Sequence, residues 1–120
     1  MATIALGADN FERTITDNSL VIVDFWAAWC GPCRMFAPVF EAASAAHPDV
    51  VFGKVDTEAE QALAAAAHIS SIPTLMAFKD GTLVFSQPGA LPAAALEQLI
   101  EGLRALDMTQ DEADEPRRSA

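Results

Sequence analysis

Cys30 and Cys33 are the residues of this chain whose type and spacing could do chemistry. Two residues separate them, a spacing that lets the two sulfurs close a small disulfide. A thiolate at Cys30 could attack the disulfide of another protein to give a mixed disulfide, which Cys33 could resolve by attacking Cys30. The pair therefore predicts thiol–disulfide exchange, and the alternative is a chance pair of small buried residues.

A carboxylate within an apolar segment is the second chemical feature. Asp24 interrupts residues 20–26, which are otherwise β-branched, aliphatic and aromatic, and burial would favour its protonated form. It precedes the cysteines in the same strand–helix unit, so it could lie beneath Cys33 and exchange protons with it, directly or through water. Lys54 offers a second reading, a buried ion pair with Asp24 that would also tune the acid. Both roles stay open for Asp24 and Lys54.

The elements around the cysteines favour a reactive thiol. Residues 20–26 read as a central strand covered on both faces, and a helix follows from about Gly31. The unsatisfied N–H groups and the positive end of the helix dipole would stabilise a thiolate at Cys30 by roughly 1 to 2 kcal/mol. Pro32 fits the first turn, where a missing N–H has no helical partner. An exposed, nucleophilic Cys30 is therefore expected at the start of the helix.

The rest of the chain supplies further strands and helices in alternation. Apolar periodicity predicts the order βαβαβαββα, a mixed sheet with helices on both faces. Capping-box spacings, Asp9 with Glu12 and Thr57 with Glu60, place the starts of the first and third helices. The other strands are expected at 3–6, 50–55, 74–78 and 82–86, and the last helix begins at about Pro92.

Length, composition and charge exclude several classes of protein. At 120 residues and 52% hydrophobic, the chain is expected to form one domain at 1–106, with an acidic, disordered tail at 107–120. It has no apolar run of about 20 residues and no basic leader, so we expect a cytoplasmic protein. A net charge of -10 argues against nucleic acid as a partner. Two cysteines and two distant histidines do not suit a closed zinc site.

Residues 25–34, Phe-Trp-Ala-Ala-Trp-Cys-Gly-Pro-Cys-Arg, closely resemble the active-site segment of the thioredoxin family. The resemblance continues through residues 35–38, 54–56, 72–74, 78–81 and 89–91, and covers about residues 1–106 in the family's order. It implies the thioredoxin fold, an α/β structure with a mixed central sheet flanked by helices on both faces. It also implies a protein-disulfide oxidoreductase with no bound cofactor or metal other than the redox-active Cys30–Cys33 disulfide.

The resemblance assigns roles to individual residues. Cys30 would be the nucleophile, Cys33 the resolving thiol, and Asp24 with Lys54 the buried pair that moves protons. Pro73, which the residues alone mark only as the start of a strand, would be a cis-proline that faces the disulfide. The groove in which substrate backbone docks would be lined by Trp29, Gly31, Pro32, Ile72, Pro73, Gly89 and Ala90.

Partners and departures also follow from the resemblance. Such a protein would work as a monomer in the cytoplasm, receive electrons from an NADPH-dependent thioredoxin reductase and reduce oxidised protein substrates. Pro88 stands where the family usually has a residue with a backbone N–H, and Ser71 stands where a glycine is frequent; both concern partner choice. Two other classes stay open: a binding module that keeps the fold, and a metal or iron–sulfur site shared by two copies.

Overall fold

The computed structural model describes residues 2–108, and within them nine elements follow one another in the predicted order. The strands are β1 (Thr3–Ala5), β2 (Leu20–Trp26), β3 (Val51–Asp56), β4 (Thr74–Lys79) and β5 (Thr82–Pro88). The helices are α1 (Phe11–Asp17), α2 (Gly31–Ala46), α3 (Gln61–Ala66) and α4 (Ala93–Ala105). The order βαβαβαββα is therefore confirmed.

The five strands form one mixed sheet with β2 at its centre. The spatial order is β1-β3-β2-β4-β5, in which β1, β3 and β2 run parallel while β4 and β5 run antiparallel to their neighbours. The first six residues of β2 are buried, as expected of a strand covered on both faces. Strand β2 ends at Trp26, so the chain leaves the sheet centre just before the cysteines.

Side chains of β2 alternate between two cores, one on each face of the sheet. Leu20 and Ile22 point to the face covered by α2 and α4, where they meet residues such as Phe40 and Ile100. Val21, Val23 and Phe25 point to the other face, which α1 and α3 cover. By this alternation Asp24 lies on the α2 face, the side from which the cysteine-bearing helix packs.

Several predicted boundaries differ from the structure. Helix α1 begins at Phe11 after Asn10, and α3 begins at Gln61 after Glu60, and neither has a side-chain cap. Both capping-box predictions were therefore wrong, and residues 57–59 form a turn instead of the first turn of a helix. Met108, in the predicted tail, is buried at 7% exposure, and the rest of that tail lies outside the described residues.

Over residues 2–108, the structure contains no helix that combines the length and the apolar character required to cross a membrane.

Candidate active site

Cys30 and Cys33 form a disulfide at the N-terminus of α2. Cys30 is the N-cap residue, in an extended conformation, and its carbonyl accepts the N–H of Arg34 at 3.1 Å. The N–H of Cys33 donates to the sulfur of Cys30 at 3.2 Å. A thiolate at Cys30 would receive the same N–H and lie at the positive end of the helix dipole, so the geometry favours its ionised form once the disulfide is reduced.

Neither sulfur-bearing residue is freely exposed in the disulfide form. Cys30 is 4% exposed and Cys33 is 3% exposed, and both pack with Ala27, Trp26 and Ile72. The sulfur of Cys30 lies 3.8 Å from the carbonyl oxygen of Ile72. The prediction of an exposed Cys30 was therefore wrong for this form, because the loop before β4 covers the sulfur.

The loop that covers Cys30 contains a cis peptide bond between Ile72 and Pro73, as the resemblance implied. The carbonyl of the buried Pro73 accepts the N–H of Gly89 at 2.7 Å. Gly89 has a φ of 102°, which an L-residue rarely adopts, so a glycine is suited to this position. The contact fixes the end of β5 beside the loop, and Ala90 follows on the exposed surface.

Asp24 carries a buried carboxyl group that is 1% exposed. Neither of its oxygens has a hydrogen-bond partner among residues 2–108. Burial raises the pKa of Asp24 from 3.8 to about 6, and the positive charge of Lys54 opposes that rise. A group with this pKa can both accept and release a proton near neutral pH, which suits the proton-transfer role that the sequence predicts.

Lys54 stands beside Asp24 in the register of β2 and β3, but the two side chains form no ion pair in the described structure. The ammonium group of Lys54 instead lies 5.0 Å from the ring centre of Trp26, a cation–π contact. The buried ion pair that the sequence left open is therefore not formed, and Lys54 acts on Asp24 only through its field. Lys54 also lines a cavity of about 440 Å³ that reaches Asp56 and Glu60.

Trp29 is 66% exposed and forms one wall of a groove of about 510 Å³. Its indole N–H donates to the carboxylate of Glu58 at 3.2 Å. Across the groove lie Ile72 and Ser71, and one side is formed by α3 and the residues that flank it. The remaining lining residues are Thr57, Gln61, Ala64, Ala65, Ile69 and Ser70.

Of the predicted substrate-binding residues, the structure brings Trp29 and Ile72 into this groove. Gly31 and Pro32 lie in the first turn of α2, while Gly89 and Ala90 directly follow the last residue of β5. The sequence missed Glu58 and the α3 wall. A signal existed for Glu58, because it follows the carboxyl end of β3, next to the end of β2 that carries the cysteines.

No group of three or more histidine, cysteine or acidic side chains within residues 2–108 is placed to hold a metal ion.

Comparison with known proteins gives one family. The family model described as Thioredoxin matches residues 2–102. The chain is 57% identical over 109 residues to "Putative thioredoxin 2" of Streptomyces coelicolor, covering 91% of this chain and 81% of that protein. Among solved structures, a single-substitution mutant of a thioredoxin from Halobacterium salinarum superposes with a TM-score of 0.81 at 35% identity, covering 88% of this chain and 93% of the other. Plasmodium falciparum thioredoxin superposes with a TM-score of 0.76 at 40% identity, covering 82% and 96%.

Proposed function

Because the chain belongs to the thioredoxin family and is a protein-disulfide oxidoreductase, we propose that it works as a reductase of protein disulfides. One observation carries the proposal: the Cys30–Cys33 disulfide caps the N-terminus of α2, where the helix favours the thiolate that the reaction needs. The Gly31–Pro32 pair between the cysteines is, by the family resemblance, the reducing form of this motif.

The reaction proceeds in two exchanges. The Cys30 thiolate attacks one sulfur of a substrate disulfide, which forms a mixed disulfide and releases the other sulfur as a thiolate. The thiol of Cys33 then loses its proton, and its sulfur attacks Cys30, which restores the Cys30–Cys33 disulfide and frees the second substrate thiolate. The substrate gains two electrons, and protons from the surroundings complete its two thiols.

Asp24 acts in the second exchange as the acceptor of the Cys33 proton, directly or through water. Its support is the unpartnered carboxylate on the α2 face of the sheet and the pKa of about 6, which leaves the group mostly ionised at pH 7.5. Lys54 stabilises that ionised state through its charge. Asp24 is thus the proton-transfer residue, and the charge of Lys54 lowers the pKa of Asp24.

Substrate docks on the surface around the disulfide. The exposure of Trp29 and Pro32 and the half-buried Ile72 beside the sulfur support this placement, and the cis loop with Pro73 and the end of β5 complete the surface. The other candidate residues there are Gly31, Gly89 and Ala90. Electrons come from an NADPH-dependent thioredoxin reductase, and the protein acts as a cytoplasmic monomer.

A pair of cysteine variants tests the proposal. With dithiothreitol as the electron source and insulin as the protein disulfide, wild type accelerates insulin reduction and Cys30→Ser does not. The matched variant Cys33→Ser retains the nucleophile, so after it has been reduced and separated from dithiothreitol it should accumulate a mixed disulfide with insulin that mass spectrometry detects. Wild type that fails to reduce insulin, or Cys30→Ser with full activity, contradicts the proposal. NADPH consumption with a thioredoxin reductase then tests the electron donor separately.

A further inference from the structure

Met35 stands on the exposed side of α2, two residues after Cys33, with 78% of its surface exposed. We propose that Met35 is a site of reversible oxidation by peroxide, and that its sulfoxide weakens the docking of protein substrates beside the disulfide. The docking half of the inference rests on the proposed function. The oxidation half rests on the structure alone.

Among the methionines that the structure describes, exposure makes Met35 the selective target. The other methionines within residues 2–108, Met76 and Met108, are each only 7% exposed. A thioether reacts with peroxide according to the access of the oxidant to its sulfur. In the disulfide form, Cys30 and Cys33 present no thiolate that could compete for the oxidant. Peroxide should therefore add its oxygen to Met35 before it reaches the two buried methionines.

Helix geometry places Met35 on the docking surface. It lies three and four residues after Pro32 and Gly31, so it continues their face of α2 by one turn. Its neighbour Phe36 points the other way and is 2% exposed in the core. Trp29 and Met35 are the two most exposed large apolar side chains of the described structure, and both belong to the segment that carries the disulfide.

The chemistry is a two-electron oxidation. The thioether sulfur of Met35 takes one oxygen atom from hydrogen peroxide, which leaves as water, and the Cys30–Cys33 disulfide is unchanged. The product carries a polar sulfoxide oxygen on a flexible apolar side chain. Methionine sulfoxide reductases, one for each sulfoxide epimer, restore the thioether with two electrons from a dithiol, which becomes a disulfide, and the oxygen leaves as water. The modification can thus be switched on by oxidant and removed enzymatically.

The sulfoxide should act on docking and leave the reactivity of the dithiol alone. A protein that covers Met35 must bury the new oxygen without a partner, which we expect to raise KM for insulin about threefold to tenfold. A small disulfide such as 5,5′-dithiobis(2-nitrobenzoate) touches only the sulfur, so its reduction rate should not change.

The test treats the full-length disulfide form with hydrogen peroxide, removes the oxidant and compares each sample with its own untreated control. Among Met35, Met76 and Met108, peptide mass mapping should find the first added oxygen on Met35. Treated wild type should show the raised KM for insulin and an unchanged rate with the small disulfide. Treated Met35→Leu should match its untreated sample, treated Met76→Leu should behave like wild type, and methionine sulfoxide reductases should reverse the change.

Three results overturn the inference while leaving the proposed function in place: oxidation first at Met76 or Met108, an unchanged KM for insulin when Met35 is oxidised, or an equal rise of KM in treated Met35→Leu. Untreated wild type that does not reduce insulin contradicts the proposed function itself. In that case there is no substrate docking for the sulfoxide to weaken. The peptide map still shows whether Met35 was oxidised, so a failure of the proposed function is distinguished from a failure of oxidation.

Discussion

The carboxyl group of Asp24 lies in the central strand, and no other described residue forms a hydrogen bond to it. Burial raises its pKa from 3.8 to about 6 in the folded protein, whereas the unfolded chain keeps the ordinary value. Between these two values the folded state binds more protons, so the free energy of unfolding falls as pH rises from about 4 through about 6. A difference of about two pKa units corresponds to about 3 kcal/mol, all of it lost above pH 7.

Replacing Asp24 by alanine should therefore stabilise the disulfide form at neutral pH. At pH 7.5 we expect Asp24→Ala to unfold with about 1 to 2 kcal/mol more free energy than wild type, because the lost penalty exceeds the cost of a small cavity. At pH 4.5 this gain should disappear, since Asp24 is then protonated in folded wild type. Urea unfolding at the two pH values measures the change.

A matched control for that experiment is Asp17→Ala, which removes an exposed carboxylate at the end of α1. Its effect on the free energy of unfolding should be within about 0.5 kcal/mol. If Asp24→Ala differs from wild type by the same amount at both pH values, the buried carboxyl group does not titrate as described.

Asp24→Ala should also slow the resolution of mixed disulfides, because Cys33 loses its proton acceptor.

At the scale of single residues, the sequence predicts which side chains are buried better than it predicts which groups they contact. The apolar run around Asp24 was enough to predict a buried carboxylate. The same run could not predict the position of the Lys54 ammonium group. A lysine side chain is long enough to reach either the carboxylate or the Trp26 ring, and the local geometry decides which of them it contacts. The cover over Cys30 comes from Ile72, which is 42 residues away in the chain, and no local pattern reports such a contact.

Helix α4 is held to the sheet at its C-terminal end by one side chain from β4. The ammonium group of Lys79 donates to the carbonyl oxygens of Leu103 at 2.6 Å, Arg104 at 3.3 Å and Leu106 at 2.6 Å. The last carbonyls of a helix lack their usual partners four residues on and lie at the negative end of its dipole, although that of Leu103 also accepts the N–H of Leu106 at 3.3 Å. Lys79 therefore satisfies these groups and brings a positive charge to the end that favours it.

Lys79→Met keeps the apolar stem of the side chain and removes the ammonium group. We expect a loss of about 1 to 2 kcal/mol in the free energy of unfolding, since water can reach part of the freed carbonyls. The control Arg13→Met removes an exposed cation from α1, and urea unfolding should place it within about 0.5 kcal/mol of wild type. An equal effect of the two substitutions would show that Lys79 does not anchor α4.

At the scale of elements, the sequence predicted the order of strands and helices but misplaced two helix starts. Neither expected capping box forms. Side chains near both helix starts instead bond to a distant segment or within a turn. The Glu60 carboxylate accepts the N–H of Ala8, 52 residues away, and the Asn10 side chain accepts from Gly7 and donates to Ala5. Glu60 thus ties the β1–α1 loop to the start of α3, whereas Asn10 bonds within that loop and to the end of β1, so neither side chain caps its helix.

On the scale of the whole molecule, the disulfide and the end of α4 lie at opposite edges of the sheet. The cysteines follow Trp26 at the end of β2, whereas Lys79, which holds α4, pairs with Leu20 at its start. A strand of this length spans about 20 Å. The family resemblance was sufficient to predict the edge that carries the disulfide. One of its segments, residues 78–81, contains Lys79 at the opposite edge, but the resemblance assigned that residue no role in holding α4.

The domain boundary can be tested from that opposite edge. The sequence places the end of the domain at residue 106, yet Met108 is 7% exposed and the carbonyl of Leu106 binds Lys79. We propose that the folded domain includes Met108. If the acidic residues beyond it add nothing to the fold, as their composition predicts, a chain truncated after residue 108 should unfold with the same free energy as the full chain and reduce insulin at the same rate.

Truncation after residue 105 removes both the Leu106 carbonyl and the Met108 side chain, and should lower the free energy of unfolding by about 1 to 3 kcal/mol. Truncation after residue 106 keeps the carbonyl and loses what Asp107 and Met108 contribute, so its loss of stability should be at least as large as that of Met108→Ala in the full chain. The domain ends at 106 instead if the chains cut at 106 and 108 unfold at the same urea concentration. A loss of stability in the chain cut at 108 would instead extend the domain beyond it. Insulin reduction by the folded fraction should stay unchanged throughout the series, because every cut is made at the edge of the sheet away from the disulfide.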